Sequence, residues 1–406
     1  MIGARLAAGA TALAVLIPLS AHAQLAIRAE TLHTMNGAPI RDGVVLIGAG
    51  GKIERVGPAA DVRVPAGYRL LQARVATPGL IDAHSVVGLA GALNQPHDQM
   101  QLDRSGPVQP ELRALDAYNA RETLVEWLRG HGVTTVHTGH APGALVPGQT
   151  MIVKTRADEA EDAVLVPDAM VAVTLGQGGL ATEGKSPGTR SKAVAMLRAE
   201  LIKAREYLSK REGPDDKRPE RNLRQEALAR VLKKEVPLLV TANRSTDILA
   251  ALRLAAEYDI RVVLDSAAES YLLADRIRKA GVPVILHATM MRPSGDAEHM
   301  SMETAARLRQ AGVPVALQSG YESYVPKTRV VLFEAALAAA RGLTPEEALA
   351  TVTIDAARIL GVDGRVGSLA PGKDGDVALF DGDPFEYTSH VTGVVIDGQL
   401  VSDRPM

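Results

Sequence analysis

The sequence predicts an α/β protein: a (β/α)8 TIM-like barrel with a small β-sandwich formed by both chain ends. Three observations carry this. Short Val-, Ile- and Leu-rich runs in the middle of the chain alternate with helical patterns. The phrase Gly-Val-Pro-Val recurs where a helix gives way to such a run, at 281–284 and 312–315. The segments on either side, 24–77 and 362–406, carry short strands broken by turn residues instead.

The N-terminus reads as an export signal. Arg5 supplies a positive start, Leu6 to Pro18 is apolar, and Ala21-His22-Ala23 is an A-x-A cleavage site before Gln24. The apolar stretch is shorter than the roughly 20 residues a membrane helix needs. A retained anchor is the alternative, and the small residues at the cleavage site argue against it. Residues 1–23 are therefore expected to be a signal peptide, and the mature chain to be soluble in the periplasm or secreted, with no membrane contact. The absence of cysteine fits an oxidising compartment and removes disulfides, thiolate zinc sites and thiol nucleophiles together.

In 24–77 the strands are Leu25 to Ala29, Gly43 to Ile47 and Lys52 to Val56, separated by Asn36-Gly37, Asp42-Gly43 and the glycines of 48–51. At the other end Asp376 to Phe380 and Val391 to Ile396 are strands, and Asp397-Gly398 is a hairpin turn. Pairing of the two ends defines one composite domain, 24–77 plus 362–406. Between them, 78–361 forms the barrel. Its apolar runs are Pro237 to Ala242, Arg261 to Ser266, Val282 to His287 and Val313 to Ser319, with Val75 to Asp82 and Val133 to Thr138 as earlier strands. Helices fall at 247–258, 269–280 and 301–311. An open doubly wound sheet is the alternative. The charged stretch 203–235 reads as two solvated helices around an exposed turn.

A formal charge of −2 and 3% aromatics exclude a phosphate-tracking or base-stacking surface, so no nucleic-acid partner is expected. A small-molecule substrate or ligand and a homo-oligomer are both compatible with the composition. In a parallel barrel the chemistry lies at the C-terminal strand ends. Those ends carry His84, His137 and His140, Thr241 to Arg244, Asp265-Ser266, His287, and Gln318 to Tyr321. Gly176 to Gly179 could cradle an anion, although no Lys-Ser or Lys-Thr follows, and a flexible loop is the simpler reading.

Thr77-Pro78-Gly79-Leu80-Ile81-Asp82-Ala83-His84 resembles the opening barrel strand of the amidohydrolase superfamily, in its imidazolonepropionase- and dihydroorotase-like branch. The tail is similar too, in Arg365 to Leu369, Pro371 to Asp376 and Asp381 to Pro384, as is Pro345 to Gly361. The resemblance implies a metal-dependent hydrolase of non-peptide C–N bonds, such as cyclic amides or acyl-amino compounds. In that family a divalent metal, usually zinc, polarises water. Its ligands are His-x-His after the first strand, a carboxylated Lys or a Glu at the fourth, and His at the fifth and sixth, with an Asp at the eighth. Here His84 matches the first histidine and is the one family metal ligand retained. Val86, Thr241, Ser266 and Gly320 stand where others are expected. His137, Asp265 and His287 are the residues that could join His84 in a rebuilt site for zinc or another divalent metal; otherwise they are hydrogen-bonded barrel-mouth residues. Lys154 is either a bridging lysine or an ordinary strand-end lysine. Two functions follow: a C–N hydrolase with altered metal chemistry, or a non-catalytic binding or assembly protein. No cofactor is assigned beyond that metal.

Overall fold

The computed structural model describes residues 24–93, 95–181, 184–287, 293–320 and 331–406. The proposed signal peptide, and Tyr321 among the strand-end residues, lie outside these. The strands are β1 (Leu25–Leu32), β2 (Ile40–Ile47), β3 (Ile53–Pro58), β4 (Arg69–Pro78), β5 (Leu80–Ser85), β6 (Val133–Gly139), β7 (Gly148–Lys154) and β8 (Val164–Thr174). They continue with β9 (Leu238–Thr241), β10 (Val262–Ser266), β11 (Val284–Leu286), β12 (Val315–Leu317), β13 (Val377–Phe380), β14 (Val391–Ile396) and β15 (Gln399–Ser402). The helices are α1 (Thr123–Gly130), α2 (Ala160–Ala163), α3 (Arg190–Arg211), α4 (Leu223–Leu232), α5 (Ser245–Tyr258), α6 (Ala274–Ala280), α7 (Thr304–Gln310), α8 (Val331–Ala340), α9 (Pro345–Thr351) and α10 (Ile354–Leu360). Among the described residues no helix is long and apolar enough to cross a membrane.

Two sheets result. The chain ends share a seven-stranded sheet in the order β15-β14-β13-β4-β1-β2-β3, joined where β13 runs antiparallel to β4. Its last hairpin turns at Asp397-Gly398, both at positive φ, which is the two-residue turn that Asp-Gly favours. The second sheet has eight strands, β5 to β12 in order, with β12 returning against β5 to near closure. Val75 to Asp82, read as one barrel strand, is divided: β4 belongs to the chain-end sheet and β5 opens the barrel. Gly79 is the joint, and a Cβ there would fall 2.2 Å from Thr134 Oγ1.

One strand departs from the parallel plan. β7 runs antiparallel to both β6 and β8. Residues 140–147 alone connect β6 to β7, fewer than the dozen or so a parallel crossover requires. The reversal puts Thr150 at the upper end of the barrel and Lys154 at the lower, opposite Thr135.

Strand alternation builds the interior. Ile81, Ile152, Met170, Leu239, Val263, Ile285 and Ala316 form one buried cluster that α10 with Val362 and Val366 closes from below. Side chains on one face recur every second residue, so Thr150, Thr241, Asp265, His287 and Gln318 form the next layer, toward the C-terminal ends. An apolar plug thus supports a polar ring.

Candidate functional site

Asp265 is the centre of that ring. It lies near the end of β10, followed by Ser266 and Ala267, both in the left-handed region at φ 63° and 51°. Non-glycine residues pay strain there, so the turn is held by its surroundings. His84 Nδ1 lies 2.8 Å from Asp265 Oδ1, Thr241 Oγ1 donates to Oδ2 at 2.6 Å, and Gln318 Nε2 donates to Oδ1 at 2.9 Å. Burial pushes the Asp265 carboxyl up, but the His84 charge and these three hydrogen bonds outweigh it and hold Asp265 below its ordinary range. Burial likewise opposes charge on His84, and Asp265 overcomes it, so His84 is raised. Each group thus favours the charged form of the other, and both side chains are almost fully buried. His84 Nε2 is buried and has no hydrogen-bond partner among the described residues.

His137 stands beside it, the two rings 5.5 Å apart between centroids. Its Nδ1 lies 2.7 Å from the Ala83 carbonyl, so that nitrogen carries the proton; Thr150 Oγ1 lies 2.7 Å from Nε2. Burial pushes His137 down to about 3, with the His84 charge adding to the effect, and it stays neutral. Below the pair, Asp82 accepts from the Ser319 amide at 3.0 Å, from the Ser319 hydroxyl, and from the His84 amide at 3.3 Å. Burial raises Asp82 to about 6 despite those bonds. His287 is buried at the end of β11, its amide donating to the Ser266 carbonyl at 2.8 Å. His140 is buried against Gly148.

The structure therefore brings His84 and Asp265 into contact and His137 against His84, and leaves His287 on the same rim. The positions where the resemblance would place further ligands do other work. Val86 packs with Ala90 and Ala141 in an apolar cluster, Thr241 orients Asp265, and the Gly320 amide lies 3.4 Å from the His84 carbonyl. Among the described residues no group of three or more His, Asp or Glu side chains is placed to hold a metal ion. The donors fit such an ion poorly: both nitrogens of His137, Nδ1 of His84 and both oxygens of Asp265 already have protein partners. Catalytic zinc takes about three protein ligands.

Lys154 is not at the mouth. It lies at the floor, where its Nζ is 2.6 Å from Asp374 Oδ2 and 3.0 Å from Asp376 Oδ2, and also contacts Asp397. Burial opposes its charge, but the three carboxylates hold its pKa above the ordinary value. Its position at the floor, ringed by three carboxylates, excludes the bridging role at the mouth. Sequence reasoning passed over Asp82 and Thr150. Asp82 sits inside the quoted motif, two residues before His84, and Thr150 becomes visible once the short 140–147 connection is read as a reversal.

The amidohydrolase family pattern matches residues 89–402, more than three quarters of the chain. The chain belongs to the amidohydrolase family. The structure is similar to that of an amidohydrolase from Thermotoga maritima, at TM-score 0.88 and 28% identity over 94% of this chain and 100% of that one. Local likeness extends to an imidazolonepropionase from Shewanella frigidimarina, 59% identical over 39 residues, 10% of each chain. A putative N-acetylgalactosamine-6-phosphate deacetylase from Escherichia coli is 44% identical over 61 residues, 15% of this chain and 34% of that one. This amidohydrolase chain thus spans about a tenth and about a third of those two relatives. A family that usually binds a divalent metal is represented here by a mouth whose described donors are turned toward one another.

Proposed function

We propose that the protein is an exported hydrolase of non-peptide C–N bonds in cyclic amides or small acyl-amino compounds, and that the His84–Asp265 pair carries its proton chemistry. The observation that supports this is a buried imidazole whose protonation Asp265 favours, with one nitrogen that has no partner among the described residues. Held by Asp265 through Nδ1, His84 has a donor at Nε2 to offer a carbonyl oxygen or the departing nitrogen as the C–N bond breaks. The family match and the resemblance to C–N hydrolases support the substrate class.

A second reading is a non-catalytic binding or assembly protein. The engagement of His137 and Asp265 by the protein's own groups favours it. Hydrolysis of a panel of cyclic amides and N-acyl compounds, with and without chelator, separates the two. The first reading expects turnover that survives chelation and falls about 100-fold or more in His84→Gln and Asp265→Asn. Absence of turnover across the panel gives the second. The purified protein should carry well under one equivalent of zinc. Stoichiometric zinc lost on substituting His137, Asp265 or His287 would restore a rebuilt metal site. N-terminal sequencing that finds Gln24 would support export, and retention of Met1 would refute it.

A further inference from the structure

The Gly-rich loop after β8 holds an anion, and the anion belongs to the protein. Asp296, in a single turn at Gly295–Ala297 between β11 and α7, accepts from the Gln177 amide through Oδ2. Its Oδ1 accepts from Arg190 Nη2 at 2.7 Å and lies 3.0 Å from Arg244 Nε. The connections after β8 and β9 thus converge on a carboxylate carried by the connection after β11. Gly176 makes the approach feasible: it sits at φ +96°, and a Cβ there would fall 2.6 Å from Asp296 Oδ2 and 2.9 Å from Asp247 Oδ2. Two other carboxylates steady the arginines, Asp247 at 3.0 Å from Arg190 Nε and Glu298 at 3.2 Å from Arg244 Nη2.

A salt bridge serving stability alone would be a poor use of this arrangement. The arginine side chains are 37% and 41% exposed while Asp296 is 15% exposed, and ion pairs that water can reach contribute little. What the geometry provides is recognition: an amide N–H and the Arg190 guanidinium aimed at a planar pair of oxygens, with the Arg244 guanidinium in ion-pair contact beside them and both arginines partly open to solvent. The place also matters. Arg244 follows Thr241, the residue that holds Asp265, by three positions on the same strand end. At about 3.3 Å per residue that is a separation of at most about 10 Å, the span of a small acyl-amino compound.

We propose that Gln177 N–H, Arg190 and Arg244 form a carboxylate-binding subsite at the barrel mouth. In this structure Asp296 occupies it as an internal stand-in, and it exchanges with the carboxylate of an acidic acyl-amino substrate. The subsite itself stands on these contacts; the word substrate rests on the proposed hydrolase function.

The test is a titration of the full-length mature protein with acetate by calorimetry, with inorganic phosphate as a comparator at matched ionic strength. Asp296→Ala should bind one acetate saturably, at least tenfold more tightly than wild type, and Asp296→Ala/Arg244→Gln should lose at least tenfold of that. Phosphate binding tighter than acetate would overturn the carboxylate assignment. Equal responses from wild type and Asp296→Ala, or no saturable binding by a cooperatively folded variant, would overturn the subsite. If Asp296→Ala does not fold, Asp296→Asn keeps the side-chain volume, and its affinity should fall between the other two; no gain over wild type sinks the idea. Acetate binding without turnover of any amide would leave the subsite in place and remove the hydrolase reading alone.

Discussion

The two ends of the barrel solve the same problem in opposite ways. At the floor Lys154 meets Asp374, Asp376 and Asp397, with Lys52, Arg156 and Arg365 completing a network that ties the barrel to the chain-end sheet. At the centre of the mouth the groups are fewer, the His84–Asp265 pair beside the neutral His137 imidazole, and hydroxyls and an amide supply further bonds. Charge at the floor is many-partnered and structural. Charge at the centre of the mouth is one close pair with His84 Nε2 left over among the described residues. In a barrel, stability devices collect at the N-terminal face and chemistry at the C-terminal one, and the protonation of two strand-end residues, Lys154 and His84, follows that division.

Breaking the floor should have the largest effect. Lys154→Met leaves three carboxylates facing one another with their central cation gone. Removing one partner of a buried pair costs about 3–5 kcal/mol, and denaturant unfolding should report a loss of that size. Ligand binding at the mouth should be unchanged in the folded fraction. A loss under about 1 kcal/mol would mean the arginines at the rim, not Lys154, hold the two sheets together. The matching change at the mouth, Asp265→Asn, keeps the shape and lets Thr241 and Gln318 still bond. It should cost less, about 1–3 kcal/mol, and His84 should lose its raised pKa, read by NMR titration of the imidazole.

That asymmetry was only half legible in the sequence. His84, His137, Asp265 and His287 could be picked out because continuous apolar runs lead into them, and the C-terminal strand ends of a parallel barrel form its mouth. The β-rich ends announced a composite sheet through their turns, Asp397-Gly398 above all. The floor network could not be seen. Lys154 lies more than 200 positions from Asp374, Asp376 and Asp397, and nothing local in Met151-Ile152-Val153-Lys154 says whether it points up or down the barrel. The direction is set by the reversal of β7. Similarly, Gly176 to Gly179 does accept an anion, but the sequence does not say that Asp296, more than a hundred residues on, supplies it.

The two ends should also fail in different pH windows. The His137 imidazole would take up a proton near 6.5 when unfolded but resists to about 3 when folded. Its contribution is therefore complete above 6.5 and is lost as pH falls from there toward 3. At pH 5 the loss is roughly 2 kcal/mol, from 1.4 kcal/mol per unit below the unfolded value. Asp374 is opposed by burial but held down to about 2 by Lys154, so its contribution fades only below 3.8. Asp82, raised to about 6 by burial, works the other way and gains stability as pH falls through 6. Comparison with single variants isolates each term. The difference in unfolding free energy between wild type and His137→Gln should shrink from pH 7 to pH 4, and that for Asp374→Asn should stay flat over the same range. A flat His137 difference would show that the ring takes up its proton as readily in the fold as in the unfolded chain.

The smallest change asks whether a second histidine can make the mouth a metal centre. Val86→His creates a His-x-His spacing on β5 and the turn that follows. The valine side chain, however, is buried with Ala90 and Ala141 and packs against Leu102, so an imidazole there exchanges apolar contacts for polar atoms without partners. The cost should be about 1–2 kcal/mol, on the scale of an unpaired buried polar group. Zinc should not repay it, because His84 Nδ1 is held by Asp265 and both nitrogens of His137 are already bonded. Two histidines, one of them paired, fall short of three ligands. The variant should melt lower than wild type, and added zinc should not raise its melting temperature. A zinc-dependent rise in melting temperature with one equivalent bound would mean that Asp265 and His84 release each other readily, and that the mouth's hydrogen bonds are a resting arrangement of a site still able to take a metal.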